Sequence, residues 1–228
     1  MNKILISPSI LSANFSILGK EIKNVLQAGA DMIHFDVMDN HYVPNLTFGP
    51  IVLESIRKYP ISAPIDVHIM AKPVDNLIPL FAQAGANFIT VHPESTYHLD
   101  RTLGIIKENG CKVGLAINPS VSINVIDHVI DKLDLILLMS VNPGFSKQIF
   151  IENTFKKIFE LKKKINLTKK KIYISVDGGV KFCHIKPLIK SGVNILVIGS
   201  YIFDNINSKF IVKKIKHEIN NFKNISVV

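Results

Sequence analysis

Short runs of apolar and β-branched residues recur along the chain, and each has the length of one buried strand. Between successive runs lie longer segments whose apolar residues repeat at helical spacing, as Leu18, Ile22 and Val25 do in the first of them. The eight runs cover residues 4–10, 32–38, 65–70, 88–91, 113–117, 135–139, 172–176 and 195–198. The pattern therefore predicts eight strands, each followed by a helix.

Glycine occupies positions where several of these helices would end before the next strand begins: Gly29, Gly85, Gly110 and Gly192. Eight strand–helix units in 228 residues match a closed barrel better than a doubly wound sheet, which typically has fewer strands. No linker divides the chain. We therefore expect an α/β fold with a single domain over residues 1–228, a (β/α)8 TIM barrel.

Polar residues interrupt the apolar pattern on one face of three predicted strands. Side chains alternate between the faces of a strand, and in the second, third and seventh strands one face is apolar while the other carries polar groups. Active sites of such barrels lie at the carboxyl ends of the strands. The polar inner faces bring four side chains to that end: His34, Asp36, His68 and Asp177.

Two imidazoles and two carboxylates that converge in a closed interior are unfavourable unless a partner satisfies them. Taken singly, each residue is explained as well by an ordinary hydrogen bond in the core. Together they have the mixed nitrogen and oxygen donors that several first-row metal ions bind. We therefore expect one divalent metal ion, Zn, Fe(II), Mn or Co, held by His34, Asp36, His68 and Asp177.

Other residues at the same end of the barrel indicate a phosphorylated ligand. Three methionines end strands there and could line a pocket that excludes water: Met38, Met70 and Met139. Glycine-bearing segments follow the sixth, seventh and eighth strands, at Gly144, Gly178, Gly179 and Gly199. Glycine lets backbone N–H groups approach an oxyanion, and the loops after strands seven and eight are a recurrent phosphate site in barrels.

The net charge of +9, from 27 Lys and Arg against 18 Asp and Glu, favours anionic partners in general. The densest lysine run, residues 162–171, leads into the seventh strand and should lie at the end of the barrel away from the predicted site. A nucleic-acid groove would need lysines interleaved with aromatic residues, whereas Trp is absent and the run faces away from the strand tips. We therefore expect a small anionic molecule as partner and no nucleic acid.

Cysteine content and apolar run length bear on the compartment. Cys111 and Cys183 are far apart in sequence and belong to no spaced metal motif. The longest apolar runs are far shorter than the ~20 residues that a spanning helix needs, and the start of the chain has no evident cleavage site. We expect no membrane partner and a location in the reducing cytoplasm.

Several of these residues stand in longer motifs: SPSILSA at 7–13, HFDVMD at 34–39, HYVPN at 41–45, DVHIM at 66–70, SVNPGF at 140–145 and VDGG at 176–179. With these motifs the sequence closely resembles the ribulose-phosphate 3-epimerase family, and the resemblance covers nearly the whole chain. The resemblance implies a TIM barrel of the ribulose-phosphate-binding type. It also implies metal-dependent interconversion of D-ribulose 5-phosphate and D-xylulose 5-phosphate in the non-oxidative pentose phosphate pathway.

The resemblance also implies a role for each site residue. Asp36 and Asp177 would be acid and base as well as metal ligands, because inverting C3 through an enediolate requires proton removal on one face and delivery on the other. The other predicted substrate contacts are Ser9, His68, Met38, Met70 and Met139, with Gly144, Phe145, Ser146, Lys147, Gly178, Gly179, Gly199 and Ser200 at the phosphate. Because the family forms dimers and larger assemblies, a homo-oligomer is expected.

One loop departs from the family pattern, which usually reads Asn-Pro-Gly-Phe-Gly-Gly-Gln. Here Ser146 and Lys147 replace the two adjacent glycines. If the loop needs a positive φ or close backbone approach there, the phosphate site is reshaped. Alternatively, the hydroxyl and the ammonium supply new phosphate contacts. In both cases we predict retained activity with an altered KM.

Three other functions compete with this interpretation. The nearest is a 3-epimerase of a six-carbon ketose phosphate such as D-allulose 6-phosphate, which would use the same site with a larger pocket. An aldose–ketose isomerase would move hydrogen between C1 and C2, and the paired aspartates with a histidine-rich metal site argue against it. A non-enzymatic, basic nucleic-acid-binding protein is the third.

Overall fold

The computed structural model describes residues 3–225, and eight strands in this range form one parallel sheet. The strands are β1 (Leu5–Pro8), β2 (Ile33–Met38), β3 (Ile65–Met70), β4 (Phe88–Val91), β5 (Lys112–Ile117), β6 (Leu135–Met139), β7 (Tyr173–Asp177) and β8 (Ile195–Ile198). They match the predicted strands with small shifts. The first strand ends earlier than predicted because Ile10–Ser12 turns into a 3-10 helix.

The strands follow one another in the order β1-β8-β7-β6-β5-β4-β3-β2. β1 and β2 meet through a parallel bridge between Ser9 and His34 and through the Asp31 N–H, which donates to the Ile6 carbonyl at 2.9 Å. The Asp31 carboxylate in turn accepts from the Ile6 N–H at 3.0 Å and pairs with Lys216 Nζ at 2.7 Å. These contacts close the sheet into the predicted TIM barrel.

Helices surround the barrel: α1 (Leu18–Gln27), α2 (Pro50–Lys58), α3 (Ile78–Gln83), α4 (Leu99–Glu108), α5 (Thr154–Asn166), α6 (Phe182–Ser191), α7 (Ser200–Phe203) and α8 (Ser208–Ile225). The four glycines predicted at helix ends all have positive φ: Gly29, Gly85, Gly110 and Gly192. Left-handed backbone after the last helical turn is the conformation that glycine adopts most readily. This part of the sequence pattern is confirmed.

The connection from β5 to β6 differs from the prediction of a helix after every strand. It contains two 3-10 turns, Ile123–Ile126 and Ile130–Lys132, and no α-helix among its residues. The segment is rich in β-branched, Asn and Asp residues, which favour turns over helix. Ser122 adds a local alternative to helical hydrogen bonding, because its Oγ accepts from the Asn124 N–H at 3.2 Å.

The two faces of the barrel strands have different surroundings, as the alternation predicts. The outward residues of β2, Ile33, Phe35 and Val37, belong to the large apolar core between sheet and helices. Inside the barrel, β5, β6 and β8 contribute an apolar wall that includes Ala116, Leu137 and Val197. The inner faces of β2, β3 and β7 carry the polar residues, so the interior is apolar on one side and polar on the other.

The lysine run lies at the opposite end of the barrel from the strand tips. Lys164 pairs with Asp127 at 2.6 Å, and Lys170 pairs at 3.7 Å with Asp134, the residue that precedes β6. Two of the six lysines in this run are therefore paired with local acids. Within the described range, none of the helices combines enough length with enough hydropathy to cross a bilayer.

Candidate active site

Four side chains meet at the carboxyl ends of β2, β3 and β7, and each offers one ligand atom within 4.8 Å of the others. His34 Nε2 lies 3.3 Å from Asp36 Oδ1, 3.3 Å from His68 Nδ1 and 3.6 Å from Asp177 Oδ2. His68 Nδ1 lies 3.0 Å from Asp36 Oδ1. The structure thus brings together the four residues that the strand alternation selects.

The spacing of these atoms fits one bound cation. Ligand atoms held tetrahedrally at about 2.1 Å from an ion are roughly 3.4 Å from one another, and the distances given above, which join four of the six pairs of ligand atoms, fall on either side of that value. His34 and His68 are fully buried, and Asp36 is 3% exposed. Two imidazole nitrogens and two carboxylate oxygens are donors that Zn and its first-row neighbours accept, so the residues fit a divalent metal.

A carboxylate positions the His34 ring from behind. His34 Nδ1 donates to Asp66 Oδ2 at 3.1 Å, and Asp66 Oδ1 accepts from Thr90 Oγ1 at 2.7 Å. A Cβ at Gly114 on the neighbouring strand would overlap the Thr90 side chain, so glycine leaves room for this partner. Because Nδ1 is engaged, Nε2 is the nitrogen that faces the cluster.

His68 has a different partner behind its ring. Its Nε2 lies 2.8 Å from Nε2 of His92, a residue with no exposed surface. The His92 ring lies between those of His68 and Tyr42, with centroid distances of 5.0 and 5.1 Å. Burial, followed by the nearby His68, holds the pKa of His92 well below its usual value, so its imidazole is neutral.

Asp36 divides its two oxygens between different partners. Oδ1 faces the imidazoles of His34 and His68, whereas Oδ2 accepts from Ser9 Oγ at 2.6 Å. Both Ser9 and Asp36 line the cavity described below. Ser9 therefore orients the carboxylate and lies within reach of anything that binds there.

The two aspartates of the cluster have pKa values displaced in opposite directions. Burial raises the pKa of Asp177, His34 opposes the rise and Asp36 adds to it, so the value reaches about 6. Burial also acts on Asp36, but the imidazoles of His34 and His68 outweigh it and hold its pKa well below the usual range. At neutral pH one carboxylate is firmly ionised while the other titrates easily, a pairing typical of acid–base sites.

Neighbouring carboxylates also shift the pKa of His34. Burial opposes the charged form of His34, but Asp36 and then Asp66 outweigh it and raise the pKa of this imidazole well above its usual value. The pocket thus concentrates negative potential around His34. A divalent cation bound by the four residues would replace the proton as the balancing charge.

Above the cluster lies a cavity of about 550 Å³, counting its open mouth. Asp36 and Asp177 form part of its floor, and the last residues of β2, β3 and β6 form its walls: Met38, Met70 and Met139. These methionines are at most 4% exposed, so they provide an apolar wall beside the carboxylates. Their predicted contact with substrate stays a prediction.

The rim of the same cavity is built from the loops after β6, β7 and β8: Gly144, Phe145, Ser146, Lys147, Gly178, Gly179, Gly199 and Ser200. At Gly179, φ is +64°, and an added Cβ would lie 2.7 Å from both the Gln148 carbonyl oxygen and the Phe150 nitrogen. A side chain is therefore excluded there. Close packing within the rim requires glycine at this position, and the approach of a phosphate to its backbone stays a prediction.

The loop in which Ser146 and Lys147 replace the two glycines of the family pattern has a strained backbone. Lys147 has φ +65°, a left-handed conformation that costs a non-glycine residue roughly 1–2 kcal/mol. Its ammonium pairs with Asp204 Oδ2 at 3.0 Å, just beyond α7. Gln148 Nε2 also fixes the loop by donating to the carbonyls of Asn142 at 2.6 Å and Phe145 at 2.9 Å. The loop therefore keeps a conformation that glycine would adopt without strain.

The structure separates the predicted site residues into two layers. The cavity is lined by Ser9, both aspartates, the three methionines and the rim residues named above. His34 and His68 lie beneath them with no exposed surface. The predicted contact of His68 with substrate stays a prediction, because its side chain is not among those lining the cavity.

Three residues around the cluster had no role in the sequence analysis: Asp66, Thr90 and His92. Asp66 lies on the same face as His68, and Thr90 is opposite His68 in the β3–β4 register. The signal that could have revealed them is the alternation of β4, where Thr90 and His92 share the inner face. Residues that support ligands are harder to find than ligands, because each one is explained equally well as a satisfied core residue.

Comparisons with known proteins identify the family of the chain. The model of the ribulose-phosphate 3-epimerase family matches residues 5–203. Ribulose-phosphate 3-epimerase of Buchnera aphidicola subsp. Acyrthosiphon pisum (strain APS) is 57% identical over 219 residues, 96% of each chain. The protein of the same name from Escherichia coli (strain K12) is 53% identical over 96% of this chain and 97% of its own.

Among solved structures, KGPDC from Streptococcus mutans superposes with a TM-score of 0.72 at 13% identity, over 97% of this chain and 99% of that chain. A likeness at this identity shows the fold alone. Fold and site together define a TIM-barrel enzyme with a buried histidine–carboxylate cluster below a glycine-rich pocket. Within that class, the chain belongs to the ribulose-phosphate 3-epimerase family.

Proposed function

We propose that this protein interconverts D-ribulose 5-phosphate and D-xylulose 5-phosphate by inverting C3. Membership of the family supports an epimerase acting on ribulose phosphate. The observation that carries the chemistry is the pairing of Asp36 with Asp177. These carboxylates come from different strands, line one cavity and have pKa values displaced in opposite directions.

Inversion at C3 needs two proton-transfer groups. The C3 proton lies α to the C2 ketone, so its removal leaves an enediolate, and the opposite epimer forms only if a proton returns to the other face. In one direction Asp36, which is ionised, accepts the proton and Asp177 donates one. In the reverse direction the two residues exchange roles.

Neighbouring residues prepare the two carboxylates for this reaction. Ser9 holds Asp36 Oδ2 at 2.6 Å, so the oxygen is directed before substrate arrives. Met38, Met70 and Met139 cover the reacting carbons with apolar surface and keep water from the enediolate. The methionines thereby limit loss of the intermediate by protonation from solvent.

His34, Asp36, His68 and Asp177 would hold one divalent ion, Zn, Fe(II), Mn or Co. Bound there, the ion would act as a Lewis acid that stabilises the negative charge of the enediolate. Metal analysis of the purified protein, followed by chelation and restoration with each ion in turn, tests this part of the proposal. Equal activity after complete chelation would contradict it.

The phosphate end of the substrate belongs at the rim. Gly178, Gly179, Gly199 and Ser200 line the cavity together with the loop of residues 144–147. Backbone N–H groups in such segments bind phosphate oxygens without a side chain. Lys147 adds a positive charge at this rim, and Asp204 holds its ammonium at 3.0 Å.

The deciding experiment is NMR of D-ribulose 5-phosphate in D2O with the metal-loaded protein. We expect xylulose 5-phosphate to appear with deuterium at C3, since the donor carboxylate exchanges with solvent. Formation of an aldose with deuterium at C2 would instead indicate an aldose–ketose isomerase. Faster turnover of D-allulose 6-phosphate under the same conditions would move the assignment to the six-carbon ketose phosphate.

Compartment and assembly are part of the same proposal. Both cysteines, Cys111 and Cys183, are free, which suits the reducing cytoplasm. The resemblance to the family supports a homo-oligomer, and the exposed apolar residues Phe15, Leu46 and Ile51 provide surface that a second copy would cover. Light scattering during size-exclusion chromatography tests this, and a monomer at micromolar concentration would contradict it.

A further inference from the structure

His92 is the most buried titratable residue without a function in the mechanism above. It directly follows β4 and has no exposed surface. Its Nε2 lies 2.8 Å from His68 Nε2, whereas its Nδ1 is buried without a hydrogen-bond partner. A residue with one nitrogen engaged and the other unsatisfied calls for an explanation.

We propose that His92 is a positioning residue that holds His68 in the tautomer offering Nδ1 to the metal, an inference that rests on the proposed metal centre. The geometry specifies which nitrogen serves which purpose. His68 Nδ1 faces Asp36 Oδ1 at 3.0 Å, and His68 Nε2 faces His92. A metal ligand must present a lone pair, so the proton of a neutral His68 is on Nε2 and is donated to His92 Nε2.

This assignment also specifies the protonation of the unpaired nitrogen. If His92 Nε2 accepts a hydrogen bond, the proton of its neutral ring is on Nδ1, the atom without a partner. For packing against Tyr42 and His68 alone, phenylalanine would fill the same space without burying an unsatisfied N–H, which costs about 1–3 kcal/mol. The imidazole is therefore explained by its contact with His68.

A neutral acceptor suits this position better than a second carboxylate. His34 is already backed by Asp66, and the cluster contains Asp36 and Asp177. Another buried anion behind His68 would add like-charge repulsion to a site with little solvent. The two imidazoles therefore donate to different kinds of hydrogen-bond acceptor: His34 donates to a charged group and His68 to an uncharged one.

The test compares variants that differ in hydrogen-bond reach. In His92→Gln the side-chain oxygen reaches about as far as Nε2, whereas in His92→Asn it falls short, and His92→Phe keeps the ring without nitrogen. His184→Phe is the matched control, since His184 is half-buried and stacks on Phe150 at 4.5 Å. Each metal-free protein is titrated with Co(II), and the visible absorption spectrum and affinity are recorded.

We expect the parent, His92→Gln and the control to bind Co(II) with similar spectra and affinities. His92→Phe and His92→Asn should bind about 10- to 100-fold more weakly, as loss of a partner behind a metal-bound histidine does, with an altered spectrum. If His92→Phe does not fold, the comparison of Asn with Gln decides. Equal affinity and spectrum for Asn and Gln would overturn the role of His92, whereas failure of the parent to bind Co(II) would overturn the proposed metal centre instead.

Discussion

The two ends of the cavity are built in different ways. At the proposed metal end, His34, Asp36, His68 and Asp177 project from three barrel strands, and Asp36, His34 and His68 hydrogen-bond with Ser9, Asp66 and His92, respectively. At the phosphate end, binding surface comes from loops whose shape depends on glycines and on contacts such as Lys147 with Asp204. The reacting end is therefore set by the sheet, and the anchoring end by local backbone conformation.

This difference explains where the chain departs from its family pattern. A change at a strand residue would misplace a ligand atom in a cluster whose atoms are 3.0–3.6 Å apart. In the loop after β6, Lys147 adopts a left-handed conformation that glycine would reach without strain. Changes at the metal end should thus lower kcat severely, and changes at the phosphate end should act mainly on KM.

The largest expected effect follows from removing one carboxylate. Asp36→Asn and Asp177→Asn should each lower kcat by about 10²- to 10⁴-fold, the usual contribution of a general acid or base, and each also removes a metal ligand. Steady-state assays at saturating metal measure the loss. A variant with more than a tenth of parental kcat would show that its carboxylate is dispensable.

Because the aspartates serve two purposes, the metal content of each variant is measured beside its rate. Competitive inhibition by inorganic phosphate supplies a control at the other end of the cavity. We expect the inhibition constant to change less than threefold. A large change would mean that the two ends are coupled, and the contrast between them would fail.

The next largest effect is expected when the hydrogen bonds that position the His34 ring are weakened. Asp66→Asn keeps the shape but weakens the acceptor for His34 Nδ1, so metal affinity should fall by about 10- to 100-fold. Thr90→Val removes only the donor to Asp66 at 2.7 Å and should cost less. Competition with a metal chelator measures both affinities, and the reverse order would contradict the relay from Thr90 through Asp66.

The strand-built end is also the part that the sequence predicts best. Period-two alternation identifies His34 and Asp36 on one strand and His68 on the next, because inward residues of parallel strands meet at one end of a barrel. Alternation does not rank polar residues by role. Asp66 and His92 were therefore missed as partners, although they share the inner faces.

The loops show the limit of sequence reasoning. Glycine at 178 and 179 indicates unusual backbone, but only the structure shows that a Cβ at Gly179 would meet the Gln148 carbonyl. For Lys147, the sequence left open whether the loop needs a positive φ or the ammonium makes a new contact. The structure shows a positive φ together with an ammonium paired to Asp204, a contact between segments 57 residues apart (204 − 147).

A smaller effect is expected at Gly179. Gly179→Ala should lower the free energy of unfolding by more than the roughly 1–2 kcal/mol of left-handed strain, because its Cβ would also lie 2.7 Å from backbone atoms. It should raise KM while changing kcat little. Gly110→Ala is the matched control, since φ there is +77° and nothing lies within 4 Å of the added Cβ.

Denaturant unfolding and steady-state kinetics of both variants distinguish two effects: the strain of a left-handed backbone and the overlap of the added Cβ with neighbouring atoms. Gly110→Ala should show the strain alone, with KM unchanged, because Gly110 follows α4 far from the cavity rim. Equal losses of stability in the two variants would mean that the loop moves aside at Gly179 without penalty. In that case the phosphate end is more adaptable than its contacts indicate.

The smallest effect is expected at Ser146 and Lys147, the two residues that replace glycines of the family pattern. Changing them back tests whether this loop difference affects KM. In the variant carrying both Ser146→Gly and Lys147→Gly, backbone strain at 147 is relieved while a cation leaves the rim. KM should rise about 1.5- to 5-fold, corresponding to the 0.2–1 kcal/mol typical of an exposed charge, with kcat unchanged. Lys170→Gly is the charge-matched control, because Lys170 lies at the other end of the barrel and should leave KM unaltered.

Asp204→Asn gives the opposite prediction at the same contact. It removes a carboxylate near the phosphate and frees the Lys147 ammonium, so both electrostatic effects should lower KM. High salt should reduce the difference between this variant and the parent, since both charges are substantially exposed. If KM stays constant in the double-glycine and Asp204→Asn variants alike, the loop departure is irrelevant to binding, and backbone N–H groups alone define the phosphate end.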